Sequence, residues 1–91
     1  MPEFRWDFAK DARLREAYGI GFEEIARRME TADLLRVLPN PRYPGQQVAE
    51  VLVGNYVYRV PMQPEATGTV RLITFYPSRR ATRAWRTRRP L

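Results

Sequence analysis

The chain of 91 residues contains no cysteine and no histidine. The first absence excludes a disulfide framework and a thiolate metal site. The second removes the commonest metal ligand and the usual general base at neutral pH. With both gone, no zinc site is expected, and no Gly-rich phosphate loop or ligand cluster points to a cofactor. No apolar run approaches the roughly 18 residues of a membrane span. No secretory leader is read at the start either, because Met1-Pro2-Glu3-Phe4-Arg5-Trp6-Asp7 carries charge where an apolar region belongs. The expectation is a cytoplasmic protein without metal, cofactor or membrane contact.

Acidic residues are missing from one end. Residues 1–65 hold 9 Lys/Arg and 10 Asp/Glu, whereas residues 66–91 hold 7 Arg and no acid. Fifteen of the 16 basic residues are arginine, the side chain whose planar fork pairs with phosphates and stacks on bases. Such an end reads either as a solvated tail or as an electrostatic surface for RNA, DNA or an acidic partner. A hydrophobic content of 44% is that of a folded domain. A chain this short forms one domain, residues 1–91, with a modest core.

Local patterns order the elements. Phe4 to Trp6 is an apolar lead able to form a strand. Asp7 suits an N-cap, a first helix is predicted from Phe8 to about Ala17, and Gly19 stops it. Gly21 serves as the cap of a second helix, in which Phe22, Ile25, Ala26 and Met29 recur on one face. Leu34–Leu38 reads as a short strand, followed by a turn-rich connection through Pro39-Asn40-Pro41 and Tyr43-Pro44-Gly45. Val48–Val53 and Tyr56–Val60 read as a hairpin around Gly54-Asn55, closed by Pro61. Val70–Tyr76 is the last predicted strand, and Arg79–Arg89 a basic helix that ends towards Pro90. The fold class is therefore α+β: two N-terminal helices packed on a small antiparallel sheet, with a short basic C-terminal helix.

Two stretches resemble a known family. Trp6-Asp7, Lys10, Leu14, Gly19-Ile20 and Phe22-Glu23-Glu24-Ile25-Ala26 follow one pattern, and Pro77-Ser78-Arg79-Arg80-Ala81-Thr82 follows a second at the exit of the last strand. In that order and spacing they resemble the BrnT toxins of bacterial type II toxin–antitoxin systems, within the RelE/ParE-like superfamily. Ala17-Tyr18, Gly45-Gln46-Gln47 and Thr74 depart from the family's usual residues, and its acidic residues in the terminal helix are absent. The resemblance implies a RelE-like fold and an endoribonuclease that cleaves RNA to arrest growth. It also implies a cognate antitoxin, a ribbon-helix-helix protein from the adjacent gene, through which alone DNA would be contacted.

RNA cleavage by internal attack needs the 2′-hydroxyl placed in line and charge on the phosphorane stabilised. Without histidine, a metal-independent nuclease working mainly by positioning is expected. The candidate catalytic residues are Arg79 and Lys10, which fall on family positions, with Arg59 and Tyr58. By the period of two, either Arg59 or the pair Tyr56 and Tyr58 faces the open sheet surface, not all three. Candidate RNA-binding residues are Arg71, Arg80, Arg83, Trp85 and Arg86. Trp85 suits base stacking and equally suits docking the last helix on the sheet. The rival readings are a non-catalytic nucleic-acid-binding module and an interaction protein with a basic docking tail.

Overall fold

The computed structural model describes residues 3–88. The predicted helix end at Arg89 and Pro90 lies outside them. Strand β1 (Glu3–Arg5) is followed by helices α1 (Phe8–Tyr18) and α2 (Phe22–Met29). Then come β2 (Leu34–Pro39), β3 (Gln47–Val53), β4 (Tyr56–Pro64), β5 (Thr69–Leu72), β6 (Tyr76–Pro77) and α3 (Arg79–Arg88). The strands form one sheet in the order β1-β5-β4-β3-β2, and β6 also pairs with β4. Among the described residues no helix is long and apolar enough to cross a membrane. The class is α+β, as the patterns indicate.

The helices begin and end where their caps dictate. The Asp7 carboxylate accepts the Lys10 N–H at 2.8 Å, and Gly19, at φ 78°, turns the chain in the left-handed region open to glycine. Gly21 stands at the N-cap of α2 but has no side chain to offer. The capping oxygen is Asp11 Oδ1, which accepts the Phe22 N–H at 2.7 Å. A Cβ at residue 21 would lie 2.5 Å from Arg15 Nε and 2.6 Å from that same carboxylate, so any side chain there would displace the Asp11–Arg15 pair from the cap.

The helices do not share the core equally. Phe22, Ile25, Ala26 and Met29 of α2 are buried against Ala49, Val51, Val60, Met62, Leu72 and Phe75. Each large side chain taken out of water there contributes about 1.5–3 kcal/mol. Helix α1 has no buried residue: it leans in through Leu14, and Phe8 remains 84% exposed. Trp6 stacks on Phe22 at 5.8 Å and closes the end of the core.

Three expectations need correction. The sheet is mixed, because β1 runs parallel to β5. Pro61 does not end β4, which continues to Pro64 between β3 and β5. The missing proline N–H is tolerated because its carbonyl faces the β5 side, where it accepts the Ile73 N–H at 2.9 Å and the neighbouring strand is interrupted. The strand expected over 70–76 is present but broken. Met62 pairs with Leu72 and Arg59 with Tyr76, so Ile73, Thr74 and Phe75 stand opposite Val60 and Pro61. That single extra residue is a β-bulge.

Candidate functional site

The face allocation on β4 is resolved by its neighbours. Tyr58, Val60 and Met62 face α2, and Arg59 faces the other way. Tyr58 packs with Tyr18 and Phe75, ring centroids 6.1 Å from each. Burial pushes the Tyr58 phenol above its usual value, and the phenols of Tyr18 and Tyr56 push it further. Such a group is poorly matched to proton transfer at neutral pH.

Helix α3 is fastened to the start of β4 by a small polar clamp. At Val57 the backbone N–H and C=O both point away from β3. The N–H donates to Thr82 Oγ1 at 2.8 Å, and the C=O accepts the Ser78 N–H at 2.9 Å. Ser78 also caps α3, its Oγ accepting the Ala81 N–H at 3.0 Å. The Thr82 hydroxyl then donates to the Ser78 carbonyl at 2.7 Å. Thr82 and Ala81 are buried, so the opposite side of α3 faces outward.

That outward side carries Arg79, Arg83 and Arg86, spaced i, i+4 and i+7 on one helical face. With Tyr56, Thr82 and Thr87 they line a groove of about 300 Å³ that contains no carboxylate. Arg86 donates to the Asn55 carbonyl at 3.0 Å and so ties the far end of α3 to the hairpin turn. Among the described residues every ion pair uses an arginine at or before position 59. Glu24 takes Arg27 and Arg28, Asp33 takes Arg28, Asp11 takes Arg15, Glu65 takes Arg5, and Glu50 takes Arg36 and Arg59. Five of the ten acids are paired in this way, and among the described residues Arg71, Arg79, Arg80, Arg83 and Arg86 form an ion pair with none. A groove of unneutralised forks attracts phosphate.

The remaining candidates lie elsewhere. Arg59 lines a separate cleft of about 500 Å³ on the sheet face opposite α2. Its Nε lies 3.6 Å from Glu50, a residue only 2% exposed that also binds Arg36 at 2.8 Å. Lys10 is on α1, and Arg71 is on β5, opposite Arg5 and Gln63 in the strand register. Arg80 is exposed on α3 outside the groove lining, and Trp85 is half-buried on the same helix. The structure thus brings Arg79, Arg83 and Arg86 together and separates them from Lys10, Arg59 and Tyr58.

Sequence reasoning missed Tyr56 as a groove wall, Ser78 and Thr82 as the clamp, and Glu50 as the anchor of Arg59. The last was within reach. A two-residue turn at Gly54-Asn55 pairs Val53 with Tyr56, and counting outward pairs Glu50 with Arg59. Comparison with known proteins found no matching family model, no curated relative and no similar solved structure.

Proposed function

We propose that this chain acts on RNA as a growth-arrest toxin of the BrnT type, a metal-independent endoribonuclease of the cytoplasm that grips phosphate in the α3 groove. The observation that carries the reading is the groove itself: Arg79, Arg83 and Arg86 on one face of a helix fixed to the sheet, with no carboxylate in the lining. Arg79 stands in the first turn of α3, just past the Ser78 cap. The anchored first turn fixes where its side chain starts, at the mouth of the groove, where a guanidinium can stabilise charge on a phosphate. A cognate antitoxin of the ribbon-helix-helix type covers the groove with acidic side chains, and the complex reaches DNA through that partner.

Expression in bacteria tests the reading. The chain should arrest growth and cleave RNA, and Arg79→Ala should cut cleavage by about 100-fold, the scale of losing one charge-stabilising donor. The variant should stay folded by circular dichroism, since an exposed arginine outside a packed network rarely moves stability by more than about 0.5 kcal/mol. Arg79→Lys keeps charge but loses the fork, so it should fail nearly as badly. Full toxicity in a folded Arg79→Ala protein would remove Arg79 from the site.

One observation favours a second reading, a non-catalytic RNA-binding module. Lys10, Tyr58 and Arg59 do not converge on Arg79. RNA binding without cleavage by the purified chain, alone or with ribosomes, selects it.

A further inference from the structure

The cleft on the open sheet face has a different lining from the arginine groove. We infer that it holds one unpaired RNA nucleotide, with the base stacked on Tyr43 and Tyr76 and the phosphate on Arg59 and Arg42. This inference rests on the proposed action on RNA for the identity of the polymer.

The cleft combines two properties that rarely meet by accident. The first is aromatic exposure. Five large apolar side chains are left exposed among the described residues, and two of them, Tyr43 at 54% and Tyr76 at 39%, line this one cleft. Flat rings on a floor of Val48 and Pro61 offer stacking surface, which every base can use. The second is positive charge with no acid in the lining. Glu50 lies beneath, but its one negative charge is shared between Arg36 and Arg59, and Arg42 adds a further cation at the rim. The excess is positive, and a low-dielectric wall concentrates it. A bare anion would leave the tyrosines without purpose. An apolar ligand would strip water from two guanidiniums and return nothing. A ligand with an aromatic ring and an anion satisfies both, and a volume of about 500 Å³ lies in the range of small-molecule sites.

Position links the two concavities. Tyr76 opens β6 and Arg79 opens α3, so three residues of chain, at most about 10 Å, lead from the cleft to the groove. Tyr56, a wall of the groove, lies on the face of β4 opposite to Arg59, so the two concavities are neighbours along the chain but not one continuous surface. The groove grips phosphate, and the cleft adds stacking for one base of any kind.

The test uses the full chain, a fluorescein-labelled hexaadenylate read by anisotropy, inorganic polyphosphate as a base-free competitor, and AMP. Tyr43→Ala and Tyr76→Ala should each weaken hexaadenylate binding by about tenfold, the lower part of the range for one stacked base. Tyr43→Phe should bind like the parent. Neither alanine variant should change the salt dependence or the affinity for polyphosphate, because no charge is lost. Arg83→Ala should do the reverse, weakening polyphosphate and reducing the slope of log K against log salt by about 0.7. Tyr43 is an exposed loop residue, so Tyr43→Ala decides the matter even if Tyr76→Ala disturbs the strand. Unchanged hexaadenylate affinity in a folded Tyr43→Ala protein overturns the cleft and leaves the RNA reading standing. AMP binding lost in Tyr43→Ala, with no binding of hexaadenylate to the parent, supports the cleft and overturns the RNA reading. Binding of neither probe overturns both.

Discussion

Thr82 offers the sharpest test of how α3 is held. Its hydroxyl accepts the Val57 N–H at 2.8 Å in a position only 2% exposed. Thr82→Val preserves shape and replaces the hydroxyl with a methyl. The Ser78 carbonyl remains satisfied by the residue-82 N–H at 3.0 Å. Thr82 Oγ1 is the acceptor of the Val57 N–H among the described residues, and an orphaned buried donor costs about 1–3 kcal/mol. At about 2 kcal/mol, a domain of this size loses roughly 8–16 °C in Tm. Thr82→Ser keeps the oxygen and drops one methyl group, worth about 0.8 kcal/mol, or roughly 3–6 °C. The expected order of stability is therefore Thr, then Ser, then Val. Burial of apolar surface alone would put Val first and Ser last. Thermal unfolding followed by far-UV circular dichroism separates the two orders. A Thr82→Val protein as stable as the parent would refute the clamp.

The other two expectations concern carboxylates. Glu50→Gln should cost about 1–3 kcal/mol in urea unfolding, because Arg36 and Arg59 lose their shared anion and the Arg59 Nε is buried beside it. Arg59→Met should cost less, since Glu50 keeps Arg36; the opposite ranking would show that Arg36 is not the principal partner. At Glu24 the hydrogen bond from Arg28 holds the carboxyl below the ordinary value of 4.5; partial burial opposes this, and the charges of Arg27 and Arg28 reinforce it. A depressed folded-state value means that the contribution is complete above pH 4.5 and is lost as pH falls through the lowered value. Glu24→Gln should accordingly be less stable by about 0.5 kcal/mol at pH 7. The Tm gap between variant and parent should close towards pH 3, and a gap independent of pH would contradict the assignment.

What the sequence made legible is what local chemistry decides. Asp7 and Gly19 bound α1, the 3.6-residue period of Phe22 to Met29 marks the buried face of α2, and Gly54-Asn55 sets the register of β3 on β4. Ser78-Arg79 at a strand exit marks the start of α3. The rest depended on partners distant in sequence. Whether Pro61 ends a strand is settled by the strand beside it, which bulges there and asks for no N–H. Whether Arg59 or Tyr58 faces α2 depends on Tyr18 and Phe75, which no periodicity of β4 reveals. Tyr43 and Tyr76 lie 33 residues apart and meet only because the loop after β2 and the segment entering β6 border the same patch of sheet.

The parallel pairing of β1 with β5 sets an order of assembly. Glu3 pairs with Thr69, so β1 waits for 66 more residues to be synthesised before its place in the sheet exists. At roughly 5–20 residues per second that wait is about 3–13 s, far longer than the microseconds in which the β3–β4 hairpin closes. During the interval Phe4 and Trp6 have no sheet edge to join, and the apolar face of α2 lacks its end cover. The β3–β4 hairpin therefore precedes β1 in the order of growth, and substitutions at Phe4 or Trp6 should speed unfolding rather than slow folding.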